Sequence, residues 1–364
     1  MRHRFHALCP YFAMFPETFV ETWIERLTKP GTLVLDPFCG RGTTPFQALV
    51  MGRNAIASDI NPVAYCITKA KTNAPLAKSV RRRITELEKR YSSRSWESQR
   101  RRLPEFFHHA YRKNTLRQLL YLRDQLDWVN NDVDCMIAAL ILGSLHGETE
   151  KSRSYLSNQM PRTISTKPAY SIRFWEKHGY TAPERDVFEL LRSRITYRYE
   201  SDPPGLRGRV FRADMRELPR LLRATRPSIH CVITSPPYLD VTNFEEDQWL
   251  RLWFLGSRTH PTYRVISKDD RHERPERYWD LISDLWRVLG QVLAQKADIV
   301  IRIGGKNFDP EGMGKSLQAT SIFSQRKVTL VSSETSPIKG KQTGSFRPGS
   351  KGCTTEADFH FRMT

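Results

Sequence analysis

The sequence is poor in cysteine and has no cysteine arrangement that suggests a disulfide framework or a zinc site. Its six cysteines are scattered along 364 residues, and no two of them form a Cys-x-x-Cys pair. Disulfide-rich secreted domains and zinc ribbons need such groupings. We therefore expect free thiols, no bound metal and a reducing, intracellular setting, which in a bacterial-type cell is the cytoplasm.

Long hydrophobic runs are also missing. The longest apolar stretch, at residues 135–145, is far shorter than the ~20 residues that a membrane helix needs, so it predicts a buried helix. The opening residues MRHRFH lack the apolar segment of a signal peptide. We expect no association with a membrane.

Acidic residues are too few to balance the basic ones. The chain has 58 Lys and Arg against 39 Asp and Glu, a net charge of +19. Such a surplus favours a polyanionic partner, because phosphate binding releases condensed counterions. The alternative is a basic surface that serves only solubility.

Short apolar strands alternate with helical patterns at both ends of the sequence. Apolar runs lie at residues 32–36, 55–59, 208–214, 230–234, 298–303, 327–332 and 358–363, and the first three end in an acid. Buried parallel strands have this composition. The pattern predicts an α/β fold built on a Rossmann-like, doubly wound, mostly parallel sheet of seven strands.

The middle of the chain has a different texture, in which helical patterns and arginine runs replace strands. We expect residues 1–77 and 209–364 to form the two parts of one catalytic domain. Residues 78–208 then form a mainly helical insertion, for which target recognition is a hypothesis from position alone.

The turn after the first strand has the sequence DPFCGRGTT at residues 36–44. Gly40 and Gly42 let the backbone turn sharply and approach a ligand closely, because glycine has no side chain. The third glycine of a nicotinamide dinucleotide fingerprint is missing, and no Gly-Lys-Ser/Thr follows as in a Walker loop. The string instead resembles the S-adenosylmethionine-binding motif of amino-methyltransferases.

A second motif, Ser235-Pro236-Pro237-Tyr238, follows the apolar run at residues 230–234. It resembles the Asp/Asn/Ser-Pro-Pro-aromatic motif of methyltransferases that act on exocyclic amino groups. The Ser235 hydroxyl and the Pro236 carbonyl can accept hydrogens from a target amino group. Two prolines stiffen the loop, and Tyr238 offers a face on which an extruded base can stack. The alternative is a Ser-Pro-Pro-Tyr turn in an ordinary loop.

The chain is thus similar to S-adenosylmethionine-dependent DNA amino-methyltransferases of the N4-cytosine and N6-adenine family, over about residues 5–75 and 205–305. The resemblance implies a methyltransferase sheet, S-adenosylmethionine as cofactor, DNA as partner and catalysis by the Ser-Pro-Pro-Tyr motif. It implies cofactor binding by Phe12, Phe15, Asp36, Pro37, Phe38, Gly40, Gly42, Thr43, Asp59, Ile60 and Asp214. A cytosine C5 enzyme would need a Pro-Cys nucleophile, and no cysteine here follows a proline.

Some of these assignments have alternatives. Asp59 is expected to bond both ribose hydroxyls and Asp214 to lie near the adenine amino group, but either acid can be an ordinary polar residue at a strand end. An aromatic, Phe12 or Phe15, is expected near the methionine part, or belongs to the core.

The target base and the recognition surface are also open. Ser235 favours cytosine N4 as the target, and adenine N6 in DNA is the next alternative. An RNA base as target and an inactive nucleic-acid-binding protein of the same fold are further alternatives. Residues 152–175 interleave basic, amide and aromatic residues, which is typical of a DNA contact or of a loop with core aromatics. No nuclease motif supports a partner restriction enzyme, and the sequence leaves the oligomeric state open.

Overall fold

The computed structural model describes residues 2–11, 15–149, 154–161, 167–224, 228–238, 244–262, 275–305, 309–337 and 355–364. Its strands are β1 (Leu33–Asp36), β2 (Asn54–Ser58), β3 (Arg209–Phe211), β4 (Ile229–Thr234), β5 (Leu293–Gly305), β6 (Val328–Pro337) and β7 (Thr355–Met363). They form one seven-stranded sheet in the order β3-β2-β1-β4-β5-β7-β6. The predicted mostly parallel α/β sheet is confirmed.

The described helices are α1 (Glu17–Leu27), α2 (Thr43–Val50), α3 (Pro62–Thr72), α4 (Ala77–Arg90), α5 (Glu97–Arg101), α6 (Glu105–Ala110), α7 (Lys113–Gln125), α8 (Asp132–Leu142), α9 (Pro168–Lys177), α10 (Val187–Arg198), α11 (Leu218–Leu222), α12 (Phe244–Phe254), α13 (Pro275–Val292) and α14 (Pro310–Thr320). Contacts divide the chain into two compact units. One comprises residues 13–68, 204–243 and 266–364 and holds the sheet; the other comprises residues 1–12, 69–203 and 244–265.

The strand order places a switch point at the middle of the sheet. From β1 the chain proceeds outward to β2 and β3, whereas β4 and β5 lie on the other side of β1. Neighbouring strands among β1 to β5 pair in parallel, and β7 pairs antiparallel with β5 and with β6. Ligands of open α/β sheets bind outside the carboxyl ends of the strands at such a point. The residues after β1 and β4 are therefore where a site is expected.

Alternating side chains bury both faces of the sheet. Val34 and Ile233 pack with α1 and α2 on one face, whereas Leu35 and Val232 pack with α11, α13 and α14 on the other. Consecutive strand residues point to opposite faces, so a run without polar residues is what two covered faces require. This packing holds the strand ends that carry the motifs.

The second unit is helical and has an aromatic core. α8 is buried from Asp134 to Leu142, as expected for the apolar run at residues 135–145. Phe107 lies 4.6 Å from Trp253 between ring centroids, and Trp175 is fully buried. The unit contains most of the predicted insertion at residues 78–208 and adds residues 1–12 and 244–265, which the sequence placed in the catalytic domain.

Two further observations concern only the described parts of the chain. The cysteines there are buried, namely Cys9, Cys39, Cys66, Cys135 and Cys231. None of the described helices is long and apolar enough to span a membrane.

Candidate active site

The glycine turn joins β1 to α2. Gly40 and Gly42 both have positive φ angles, 47° and 74°, and the Gly42 N–H donates to the Cys39 carbonyl at 2.6 Å. A Cβ atom on Gly42 would lie 2.5 Å from Oγ1 of Thr68, whose hydroxyl donates to the Gly40 carbonyl at 2.9 Å. The left-handed backbone and the contact with α3 together explain glycine at position 42.

Asp36, at the end of β1, connects this turn to the second motif. Its Oδ1 accepts hydrogen bonds from the Phe38 N–H at 3.2 Å and from the Thr234 hydroxyl at 2.7 Å. Burial raises the pKa of Asp36 to about 6. Its Oδ2 is also buried and accepts no hydrogen bond from the residues that the structure describes. A buried carboxylate oxygen without a hydrogen-bond donor can accept a hydrogen bond from a ligand.

Asp59 follows β2 and holds the other side of the turn. Oδ2 accepts the Gly40 N–H at 2.8 Å and Oδ1 accepts the Asn61 N–H at 2.9 Å. Burial also raises the pKa of Asp59 to about 6, with a smaller contribution from the charge of Asp36. An ionised carboxylate has about four lone-pair sites, so both oxygens keep acceptor capacity for ribose hydroxyls.

Four other predicted cofactor residues lie around the same turn. Phe38 packs against the core as a half-buried side chain, and Ile60 is half-buried beside Asp59. The Pro37 carbonyl accepts a hydrogen bond from the Ser58 hydroxyl at 3.2 Å. Thr43 is buried, and its Oγ1 accepts from Nε of Arg41 at 3.3 Å.

The remaining cofactor predictions do not join this group as directly. The Asp214 carboxylate caps a 3-10 turn by accepting from the Arg216 N–H, and its two oxygens also accept from the Arg216 guanidinium at 3.1 Å each. Phe15 packs edge-on against Phe19 at 5.1 Å in the core, and Phe12 lies outside the described residues. Roles for Asp214 and Phe15 in binding adenosine or methionine stay predictions.

The Ser-Pro-Pro-Tyr loop begins where β4 ends. Ser235 and Pro237 are half-buried and Pro236 is buried. Tyr238 is only 8% exposed and belongs to the core that packs on α13. Its ring therefore offers little face to a base in this position, and the predicted stacking role requires the ring to turn outward. Its hydroxyl instead donates to Oε1 of Glu356 at 3.0 Å and lies 3.3 Å from the Ser235 hydroxyl, which donates to it.

Beneath the loop lies a charged cluster that the sequence did not predict. Arg302 on β5 donates to both oxygens of Asp358 on β7, at 2.6 and 2.9 Å. Its Nη1 lies 3.4 Å from Oε2 of Glu356. Its guanidinium also lies 3.7 Å from the ring centroid of Phe19. Arg302, Glu356 and Asp358 come from strands that pair with each other. Arg302 and Asp358 lie within two of the predicted strand runs, whereas Glu356 precedes the last run.

The two motifs meet at the switch point. β1 and β4 are neighbours in the sheet, with Leu35 opposite Val232, and the Thr234–Asp36 hydrogen bond joins the ends of the two strands. The glycine turn follows Asp36 and Ser235 follows Thr234, so a hydrogen bond joins the residues from which the two motifs begin. This geometry suits direct transfer of a group between two ligands, because placement supplies a large part of such a rate.

Comparison with known proteins shows what the segment that carries the first motif is similar to. Residues 3–70 match the model of a DNA methylase family of the N6 and N4 type. Residues 3–70 are thus similar to DNA methylases of that type. S-adenosylmethionine is accordingly the cofactor of this segment, as predicted. The match covers β1, the glycine turn and β2.

Two curated relatives agree with the match. The chain is 38% identical over 66 residues to the type II methyltransferase M.MjaII of Methanocaldococcus jannaschii, a match that covers 18% of this chain and 12% of that protein. It is 35% identical over 91 residues to the type II methyltransferase M.MvaI of Kocuria varians, covering 24% and 19%. The matched segments are thus less than a fifth of the length of either relative.

Two solved structures match the chain with TM-scores below 0.4. The rRNA methyltransferase aviRa of Streptomyces viridochromogenes is 16% identical, with a TM-score of 0.35, over 100% of this chain and 94% of its own. TrmN of Thermus thermophilus is 11% identical, with a TM-score of 0.38, over 99% and 52%.

Proposed function

We propose that this protein transfers a methyl group from S-adenosylmethionine to the exocyclic N4 amino group of cytosine in DNA. The observation that carries the proposal is the hydrogen bond between Thr234 and Asp36, because it joins the cofactor turn to the Ser-Pro-Pro-Tyr loop. The match to DNA methylases and the two type II relatives support DNA as the substrate class.

The residues at the turn fit this cofactor. The buried, unused Oδ2 of Asp36 suits the ammonium of the methionine part, and the carboxylate of Asp59 suits the ribose hydroxyls. When bound, S-adenosylmethionine supplies a methyl group on a positively charged sulfur, which the target nitrogen displaces. We assign Asp36 and Asp59 as its binding residues, with the backbone at Gly40 and Gly42 between them.

The catalytic loop prepares the target nitrogen. An exocyclic amino group is a poor nucleophile, because its lone pair is delocalised into the base. The Ser235 hydroxyl and the Pro236 carbonyl accept its hydrogens and let the nitrogen become more pyramidal. Pro236 and Pro237 fix where that carbonyl points. Serine as the first residue of the motif is the reason for preferring cytosine N4 to adenine N6.

Target recognition is assigned to the helical unit. On α9, Tyr170 is 56% exposed, and Arg173 and Lys177, further along the same helix, are also exposed. The ring of Phe174 continues the aromatic surface, 6.4 Å from Tyr170 and 4.3 Å from His178 between centroids. Stacking rings among cations suit unstacked bases and phosphates. Trp175, by contrast, belongs to the core.

The test is mass spectrometry of nucleosides from DNA of cells that express the chain, beside cells that express Ser235→Ala. We expect N4-methylcytosine in the first and none in the second. N6-methyladenine would keep the site and overturn the choice of base. Modified bases in RNA alone would overturn DNA as substrate, and no modified base in either would favour an inactive nucleic-acid-binding protein.

A further inference from the structure

A chain of hydrogen bonds leads from the catalytic serine to a buried carboxylate. The Ser235 hydroxyl donates to Oη of Tyr238, and that hydroxyl donates to Oε1 of Glu356. Both hydroxyls point their hydrogens toward Glu356. Within the part of the chain that the structure describes, the Ser235 hydroxyl donates and its lone pairs can accept a hydrogen from a substrate.

The reaction proposed above, on which the role of this hydrogen-bond chain depends, creates a proton that must leave. An amino nitrogen that gains a methyl group while keeping both hydrogens carries a positive charge. A serine hydroxyl can take one of these hydrogens only if it passes its own proton on, because a doubly protonated hydroxyl is a strong acid. Something basic must stand at the far end of the chain.

We propose that Glu356 is that base and receives the proton through Ser235 and Tyr238. As the bond between nitrogen and methyl carbon forms, the bond between sulfur and methyl carbon breaks, and sulfur keeps the electron pair. The nitrogen releases a proton to Oγ of Ser235, the Ser235 proton moves to Oη of Tyr238, and the Tyr238 proton moves to Oε1 of Glu356. The products are a neutral methylated amine and a neutral carboxylic acid.

The surroundings of Glu356 suit this role. Arg302 faces it from β5 at 3.4 Å, Tyr238 faces it from the loop, and Asp358 is its neighbour on β7. Burial raises the pKa of Glu356, against the opposing charge of Arg302, so the carboxylate takes a proton more readily than an exposed one. Its side chain is 15% exposed, which lets the acid return the proton to water.

Tyr238 is built to relay a proton and not to keep a charge. Burial, followed by the charge of Glu356, raises the pKa of Tyr238 well above its usual value, so a phenolate is strongly disfavoured there. A hydroxyl that gives and receives a proton in one motion avoids that ion. This role uses the position that Tyr238 occupies in the structure, whereas stacking on a base needs another.

Two variants break different links. Glu356→Gln keeps an acceptor for the Tyr238 hydroxyl but cannot hold the proton, and Tyr238→Phe keeps the ring but cuts the chain. We expect each to lower the single-turnover rate, at saturating cofactor and DNA, by about 10²-fold or more. Glu334→Gln is the matched control, because Glu334 is an exposed carboxylate on β6 that pairs with Arg26. If Glu356→Gln does not fold, Tyr238→Phe alone decides.

The pH profile separates a proton acceptor from a residue that only positions the loop. At saturating cofactor and DNA, so that protonation of Asp36 and Asp59 does not limit binding, we expect the wild-type rate to fall at low pH as Glu356 becomes protonated. That fall should be smaller in Glu356→Gln. A slow variant that keeps the wild-type pH profile would contradict the proton path and leave a positioning role.

A readout without cofactor or DNA completes the test. The pKa of Glu356 can be measured by NMR in protein labelled with ¹³C at glutamate carboxyls. The hydrogen bond from Tyr238 stabilises the ionised carboxylate and lowers this pKa, so Tyr238→Phe should raise it. An unchanged pKa would contradict the chain. Full activity in both variants would overturn the path alone, whereas a wild type that binds S-adenosylmethionine but methylates no base would overturn the proposed function as well.

Discussion

At the residue scale, the buried charge of Asp36 serves the proposed cofactor binding but lowers the free energy of unfolding. Its pKa is raised from 3.8 to about 6 by burial, and one pKa unit corresponds to ~1.4 kcal/mol. A carboxyl group whose pKa is higher in the folded protein binds a proton there that the unfolded chain has lost. The free energy of unfolding therefore falls as pH rises from about 4 through 6, by roughly 3 kcal/mol from this group.

Asp36→Asn removes that charge and keeps an oxygen for the Thr234 and Phe38 donors. We expect its free energy of unfolding, measured in urea, to match the wild type at pH 4.5 and to exceed it at pH 8. Calorimetry should show that the same variant binds S-adenosylmethionine at least tenfold more weakly, because a charge-assisted contact contributes about 1.5–3 kcal/mol. A variant that is less stable than the wild type at pH 8 would show that the hydrogen bonds of Asp36 outweigh its burial.

Gly42 allows a clean separation of backbone strain from steric contact. Gly42→Ala places a side chain on a backbone with φ of 74° and 2.5 Å from Thr68, whereas Gly31→Ala meets a similar φ of 84° with no atom within 4 Å. We expect Gly31→Ala to destabilise by about 1–2 kcal/mol from strain alone, and Gly42→Ala to destabilise more. Equal losses of unfolding free energy would mean that Thr68 moves aside freely.

At the element scale, the sequence predicted the existence of each strand better than its length. The apolar run at residues 298–303 predicted the middle of β5, but the strand starts at Leu293 and pairs there with Ile229. Residues 293–297 have the sequence Leu-Ala-Gln-Lys-Ala, and the local preference of these residue types is for a helix. Pairing with distant residues on β4 and β7 overrides that local preference.

The same limit explains which site residues were missed. Asp36, Gly40, Asp59 and Ser235 follow their strands directly, so order along the chain predicted their meeting at the switch point. Glu356 lies 118 residues after Tyr238, in a part of β7 that precedes the predicted strand. Its place depends on the antiparallel pairing of β7 with β5, which no local pattern encodes.

The exposed face of α9 gives a prediction for an element. Tyr170→Ala should weaken binding to duplex DNA by about 5- to 100-fold, since stacking contributes ~1–3 kcal/mol per base. Arg173→Ala should weaken it through the loss of a phosphate contact, and both variants should leave cofactor affinity unchanged. Tyr197→Ala on α10 is the control, because Tyr197 is 47% exposed in the same unit. Fluorescence anisotropy measures both affinities. If the control weakens binding equally, the contact is not specific to α9.

At the scale of the whole molecule, the net charge of +19 predicts how the affinity for a phosphate-bearing partner depends on salt. Described ion pairs such as Arg83–Asp134 and Arg302–Asp358 lie within the protein. Each such pair neutralises one basic and one acidic side chain, so it leaves the net charge unchanged. The surplus therefore stays on the basic side and is available to phosphates. Each phosphate neutralised on duplex DNA adds about 0.9 to the slope of log affinity against log salt.

That slope separates steering by charge from recognition by contact. If six to ten phosphates are bound, affinity for a duplex should fall by roughly 10³- to 10⁵-fold between 50 and 200 mM salt. Arg173→Ala should reduce the slope by about one, because it removes one cation at a phosphate. Tyr170→Ala should lower affinity by the same factor at every salt concentration, since a stacked ring releases no counterion. A slope of log affinity against log salt near zero for the wild type would contradict binding to phosphates. The net charge would then serve only the solubility of the protein.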